Sequence, residues 1–310
     1  MPRKLFFAKE KKTSRRRQSA RQTRRIIMAK IIDGKAISAE IRAELKEETV
    51  KFKSEFGYTP GLAVIIVGTD PASQVYVRNK KRACEEIGFL SESYDLPEET
   101  TEEELIALIQ RLNAADHIHG ILVQLPLPRH IDEKKVLLTI VPSKDVDAFH
   151  PENVGKIMIG EYSFLPCTPA GVMELIHRSG ISVAGKKCVV IGRSNIVGKP
   201  MAMLLLHDNG TVTICHSKTL DLANICKEAD ILVASIGKPN FVTADMVKDG
   251  AVVIDVGINR LPDGKLCGDV NFAEVEPKVS FITPVPGGVG PMTITMLMKN
   301  TLTAAKEQKK

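Results

Sequence analysis

From Lys30 onward the chain alternates short β-branched runs with longer amphipathic stretches, and this alternation constrains the fold more than any other feature. Strand-then-helix repeats require mostly parallel strands with helices laid over the sheet faces. The apolar runs are Leu62–Val67, Gly120–Leu125, Lys187–Ile191, Thr211–Cys215, Ile231–Ile236, Val252–Val256 and Ser280–Thr283. Ile37, Ile41 and Leu45 mark a first long helix that Gly57 and Pro60 end, and Thr101 with Glu104 forms a capping box for a helix carrying Leu105, Leu108 and Leu112. Thr168-Pro169 supplies a cap and a first-turn proline for another helix, to about Arg178, and Pro291 opens a last one that returns over the first domain. A chain of 310 residues accommodates about two domains. The expected class is α/β: two α/β domains, the second a Rossmann-like parallel sheet, with a cleft between them. Residues 28–147 would form the first, joined by a final helix at about 290–308, and residues 148–289 the second. The polar Pro142–His150 stretch is read as an extended passage between them.

The net charge of +6 belongs to the leader. Met1–Ile27 holds eleven Lys and Arg and one acid, Glu10, and removing these from the chain's 43 bases and 37 acids leaves a net charge of −4. The leader has no apolar signal core, and it meets the compositional rule for an organelle transit peptide. It could also serve as a nucleic-acid-binding tail. The reading preferred is a disordered extension ahead of a natural start at Met28-Ala29-Lys30. Every long apolar run is broken by a charge, Gly or Pro well short of a membrane span. The six cysteines show neither C-x-x-C pairs nor His partners at metal-ligand spacing, so a reduced compartment without zinc is expected.

Ser73, Tyr76 and Lys80 are spaced three and four residues apart, which places them on one helical face. That helix would begin at the carboxyl end of the Leu62–Val67 strand, the edge where open α/β sheets place ligands. Gln124 ends the Gly120–Leu125 run on the same edge, so its amide oxygen can accept from the Lys80 amine without adding a charge that would raise the amine's pKa. Burial would lower that pKa toward the range useful for proton transfer. In an extended segment Asp145 and Asp147 would project to one side. A carboxylate there can accept two parallel N–H bonds, and Asp147 is assigned that role while Asp145 is left a structural one.

A second constellation follows strand Val189–Ile191. Gly192-Arg-Ser-Asn-Ile-Val-Gly198 leads into an apolar helix, and a strand, a glycine turn and a helix N-terminus in that order make a phosphate site. Ser194 occupies the place of the usual second glycine. At the end of the next strand an NAD-specific fold carries an acid, whereas here the chain reads His216-Ser217-Lys218-Thr219. Together with Arg193 this favours a 2′-phosphate, and NADP is the expected cofactor. Lys218 is as readily a solvated loop residue as a contact.

Taken together, Ser73-x-x-Tyr76-x-x-x-Lys80, Val123-Gln-Leu-Pro-Leu-Pro128, Lys144-Asp-Val-Asp147, Cys167-Thr-Pro169, Gly192-Arg-Ser-x-Ile-Val-Gly198, Cys215-His-Ser-Lys-Thr219 and Pro284-Val-Pro-Gly-Gly-Val-Gly-Pro-Met-Thr293 resemble the bifunctional methylenetetrahydrofolate dehydrogenase/cyclohydrolase family over nearly all of Lys30–Lys306. The resemblance implies NADP-linked oxidation of 5,10-methylenetetrahydrofolate and hydrolysis of the methenyl product to 10-formyltetrahydrofolate. It implies that Lys80 transfers protons, Gln124 orients it, Tyr76 forms a wall for the folate and Asp147 anchors the pterin, with Ser73, Pro286, Gly287 and Gly288 beside the substrate. Gly192, Arg193, Ser194, Gly198, His216 and Ser217 would hold NADP. A homodimer in the cytoplasm is expected, with neither membrane nor nucleic acid as partner. One departure stands out: the family usually has Gly after Lys-Asp-Val-Asp, and this chain has Ala148. If that position needs a positive φ, the backbone beside Asp147 is restricted.

Two other readings compete. Tyr76-x-x-x-Lys80 imitates the catalytic pair of short-chain dehydrogenases, but in those the pair follows the nucleotide turn, and here it precedes Gly192. The Arg-rich leader alternatively makes this a nucleic-acid-binding protein, in which case truncation to Met28 would abolish a steeply salt-dependent RNA retention.

Overall fold

A computed structural model of the chain describes residues 29–309; the basic leader lies outside them. In chain order the first elements are β1 (Lys30–Ile31), α1 (Gly34–Phe56), β2 (Gly61–Val67), α2 (Pro71–Ile87), β3 (Leu90–Leu96), α3 (Glu102–Ala114), β4 (Gly120–Val123) and α4 (Glu133–Thr139). There follow α5 (Pro151–Ile159), α6 (Cys167–Arg178), β5 (Lys187–Ile191), α7 (Gly198–His207), β6 (Thr211–Cys215), α8 (Leu222–Lys227), β7 (Ile231–Ala234) and β8 (Val252–Asp255). A small hairpin of β9 (Asn259–Arg260) and β10 (Leu266–Cys267) precedes α9 (Phe272–Val275), β11 (Phe281–Ile282) and α10 (Val289–Glu307).

Two parallel sheets result, as the alternation requires. The front sheet has order β3-β2-β4, and β2 is buried at all seven positions because its neighbours and helices leave it no free face. The rear sheet runs β6-β5-β7-β8-β11-β1, so the strand order reverses at β5. The crevice outside the carboxyl ends of β5 and β7 is therefore the topological switch point.

Local chemistry explains the boundaries. Asp33 caps α1 by accepting from the Lys35 and Ala36 N–H groups, Asp70 caps α2 through the Ser73 N–H, and Thr101 and Glu104 cap each other's backbone at α3. Helix α6 starts at Cys167, one residue ahead of the expected Thr cap, and Thr168 instead shares a hydrogen bond with the Thr293 hydroxyl at 3.0 Å. Pro291 falls inside the first turn of α10, where no N–H is missed.

Two features depart from the sequence reading. Strand β3 is not expected from the sequence: Leu-Ser-Glu-Ser-Tyr-Asp-Leu is an exposed, polar edge strand whose seven-residue register with β2 is a backbone matter. Strand β1, assigned to the first domain, adds to the rear sheet beside β11 instead. Ile32 then carries the chain forward, fully buried, so that α1 starts against the Gly287-Gly288 turn. Helix α10 closes the chain. It packs on α6 and α1, and Asn300 donates to the Val146 and Leu165 carbonyls at 2.7 and 2.8 Å. Leu297 and Leu302 are buried in that seam, each contributing about 1.5–3 kcal/mol. No helix among the described residues is long and apolar enough to cross a membrane.

Candidate active site

Helix α2 leaves the carboxyl end of β2, and β4 ends beside it. Between them and the rear sheet lies a groove with two arms. The narrow arm, about 380 Å³, is lined by Tyr76, Lys80, Gln124 and Asp147 from the front lobe, by Cys167 and Thr168 at the start of α6, and by Ile196, Val197 and Ile258 from the rear. The wide arm, about 620 Å³, shares Tyr76, Val256 and Ile258 with it and continues past Pro286, Gly287 and Gly288 to Lys35, Arg82 and Arg260. Among the described residues Lys35 and Arg82 form no ion pair.

Lys80 is buried and donates from Nζ to Gln124 Oε1 at 2.8 Å. The Gln124 amide is held in turn by its Nε2, which donates to the Leu125 carbonyl at 2.7 Å. Burial lowers the Lys80 amine below its ordinary 10.5, against the opposing pull of the Asp147 carboxylate. Burial likewise raises the Asp147 carboxyl, opposed by Lys80 and by a hydrogen bond that the Cys167 thiol donates to Oδ1 at 3.3 Å. The same surroundings hold Cys167 well above 9.0, so it stays a thiol and a donor. Tyr76 stands at the junction of the arms, its phenol raised by burial.

The Asp145–Asp147 segment is a turn, not the extended stretch read from the sequence. It follows a 3₁₀ turn at Pro142–Lys144. Asp145 accepts from the His150 N–H at 2.8 Å and from Asn153 Nδ2 at 2.9 Å, anchoring the start of α5, and only Asp147 faces the groove. Ala148 does adopt positive φ, at +56°, with its methyl fully buried.

Ser73 shares a helical face with Tyr76 and Lys80. It is buried one turn earlier, its N–H taken by Asp70 Oδ2 at 2.7 Å, and it lines neither arm. The Pro286–Gly288 turn lines the wide arm, and its close approach is to the α1 backbone, where the Lys35 N–H donates to the Gly287 carbonyl at 3.1 Å.

At the switch point Gly192 takes φ +130°, a region that side-chain-bearing residues avoid, and packs on Ser235 beyond β7. Its N–H donates to the Cys215 carbonyl at 2.9 Å, which sets Arg193 beside the loop carrying His216 and Ser217. Arg193 and Ser217 are both exposed there. Ser194 acts locally. Its Oγ accepts from the Val197 and Gly198 N–H groups at 3.1 and 3.2 Å, so it takes up part of the helix N-terminus itself. His216 Nδ1 accepts from the Lys218 N–H at 3.1 Å, which curls the loop. Cys167, Thr168 and Ile258 line the groove, although the sequence reading gave Thr168 only a capping role and the other two none. The Cys167-Thr-Pro169 motif was the only signal for the first two, and Ile258 carried none.

Residues 32–147 match the family model described as the tetrahydrofolate dehydrogenase/cyclohydrolase catalytic domain, and residues 166–309 match its NAD(P)-binding domain. The chain is 64% identical over 282 residues to the bifunctional protein FolD of Acetivibrio thermocellus, covering 91% of this chain and 99% of that protein. It is 62% identical over 278 residues to the FolD of Moorella thermoacetica, covering 90% and 99%. The crystal structure of the Campylobacter jejuni bifunctional methylenetetrahydrofolate dehydrogenase/cyclohydrolase superposes with a TM-score of 0.88 at 54% identity, covering 90% of this chain and 99% of that one. The Trypanosoma brucei enzyme, solved with NADP cofactor and inhibitor, gives 0.87 at 44% identity, covering 90% and 98%. With both of its lobes matched over most of their length, the chain belongs to the tetrahydrofolate dehydrogenase/cyclohydrolase family.

Proposed function

We propose that this protein oxidises 5,10-methylenetetrahydrofolate with NADP and hydrolyses the methenyl product to 10-formyltetrahydrofolate in the same groove. The observation that carries the reading is a buried amine, Lys80, held by a neutral amide and facing a cavity whose far wall is the nucleotide lobe. Because its partner is uncharged and burial lowers its pKa, Lys80 is neutral more readily than a surface lysine. It therefore takes the proton from the water that adds to the methenyl carbon. The positive charge of that substrate further disfavours the ammonium form. Asp147, whose geometry Cys167 sets, accepts the N–H edge of the pterin, and Tyr76 walls the ring.

The residues at the switch point suit NADP. The Gly192 turn offers backbone close to a helix N-terminus, and Arg193 and Ser217 suit a 2′-phosphate where an acid would repel one. NADP, when bound, accepts the hydride of the oxidation. Apart from β1, which joins the rear sheet, residues 28–147 with the helix at about 290–308 make the folate-binding domain, and residues 148–289 the NADP-binding one. The wide arm receives the acidic glutamate end of the folate, since Lys35 and Arg82 line it without carboxylate partners.

We further read the protein as a cytoplasmic homodimer without nucleic-acid partners. Its cysteines are all free thiols, and β6 is an open sheet edge with Ile214 and Leu220 exposed beside it. Absorbance of the purified protein given methylenetetrahydrofolate with NADP tests the activity. Neither NADPH nor methenyl product appearing would overturn it. A sedimentation mass of one chain would overturn the dimer.

A further inference from the structure

Two carboxylates, Asp255 and Asp269, are buried at 3% and 0% exposure; Asp255 borders the wide arm and Asp269 lies behind it, and neither lines the narrow arm where the amine sits. Asp269 is the more heavily used. Its Oδ2 accepts from the Ile236 N–H at 2.7 Å and the Gly237 N–H at 3.0 Å. Its Oδ1 accepts from the Lys238 N–H at 2.8 Å and from Asn259 Nδ2 at 3.0 Å. Asp255 holds Asp269 in place, since its Oδ1 accepts from the Asp269 and Gly257 N–H groups and its Oδ2 from the Val270 N–H, all at 2.9–3.0 Å. The approach is possible only because residues 257 and 268 are glycines: a methyl at the first would collide with the Asp269 carboxylate and at the second with Asp255.

The segments joined in this way belong to different walls. Ile236–Lys238 follows β7 at the switch point, just after Ser235, against which Gly192 packs. Val256–Asn259 follows β8, and its Val256 and Ile258 line both arms of the groove. The β9–β10 hairpin returns the chain so that one side chain reaches both exits.

We propose that Asp269 is a positioning residue that holds the nucleotide-side loop after β7 and the folate-side wall after β8 in one register, so that hydride transfer depends on it and hydrolysis does not. The inference rests on the reading of the crevice as the NADP site. Hydride transfer needs donor and acceptor carbons aligned across two walls, whereas water attack needs only the front-lobe amine and the folate. A carboxylate suits this role because four N–H donors converge on its two oxygens. An amide in its place turns one oxygen into a donor, and two of those four N–H groups lose their acceptor.

The test is Asp269→Asn, measured for NADPH binding by fluorescence titration, for dehydrogenase kcat and KM, and for NADP-independent cyclohydrolase rate. The expected result is a dehydrogenase kcat lower by about 10- to 100-fold and weaker NADPH binding, with the cyclohydrolase rate within about twofold. Both rates falling together, or neither falling, would overturn the proposal. Asn259→Ala cuts only the link to the folate wall. It should leave NADPH binding unchanged while dehydrogenase kcat drops by a smaller factor, and it decides the matter alone if Asp269→Asn does not fold. An unchanged kcat in that variant overturns the proposal. NADPH binding by the unaltered enzyme is the separate check of the site reading.

Discussion

The two lobes meet the groove with different materials. The front lobe supplies side chains: an amine, an amide, a phenol and a carboxylate, buried enough that Lys80 and Asp147 are displaced from their ordinary protonation ranges. The rear lobe supplies backbone, with the Gly192 turn and the loops after β7 and β8 held by capping oxygens of Ser194, Asp255 and Asp269. Burial of ionisable groups suits chemistry, and fixed backbone amides suit an anionic nucleotide that must bind and leave. A change in one lobe should therefore damage one function and spare the other.

The largest expected effect lies in front. Lys80→Met should lower cyclohydrolase rate by about 10²- to 10⁴-fold while NADPH titration stays normal, and undiminished conversion of methenyl substrate would remove Lys80 from the mechanism. In the rear lobe, Arg193→Ala should weaken NADP by about 10- to 100-fold, the worth of a charge-assisted bond, with little change for NAD. Equal losses for both would place the 2′-phosphate elsewhere and blur the division of labour.

A third test concerns acid stability of the front lobe alone. His119 accepts the Gly61 N–H at Nδ1 and stacks on Tyr58, and burial drives its pKa from 6.5 to about 4. The unfolded chain then binds a proton that the folded one refuses, so the contribution is present above pH 6.5 and lost as pH falls toward about 4. His119→Asn, with an oxygen to replace Nδ1, should flatten the fall in thermal midpoint over that window. An unchanged pH slope would show that other groups control it.

The smallest effect is expected at Ala148. Glycine there would relieve a left-handed backbone worth about 1–2 kcal/mol. It would also forfeit a buried methyl, about 0.8 kcal/mol, and raise the unfolded chain's entropy by about 0.4–1 kcal/mol. These nearly cancel, so Ala148→Gly should move denaturant stability by less than about 1 kcal/mol and leave both activities intact. This near balance explains how alanine is accommodated beside Asp147.

The front lobe was the more legible in its chemistry and the less legible in its sheet. Spacing alone put Tyr76 and Lys80 on one face and Gln124 at a strand end, because helical and extended periods are local properties. The same spacing puts Ser73 on that face too, one turn nearer the Asp70 cap, where it lines neither arm. Strand β3 escaped notice because an edge strand need not be apolar.

From the chain alone came the α/β class, the parallel strands, the glycine turn, the missing acid after β6 and the family, since each is written in short-range pattern or motif order. Tertiary structure decided that β1 crosses to the rear sheet, that Cys167 steadies Asp147, and that one buried carboxylate ties two walls together. Those pairings join residues 10 to more than 200 positions apart through hydrogen bonds and shared burial, which periodicity cannot encode.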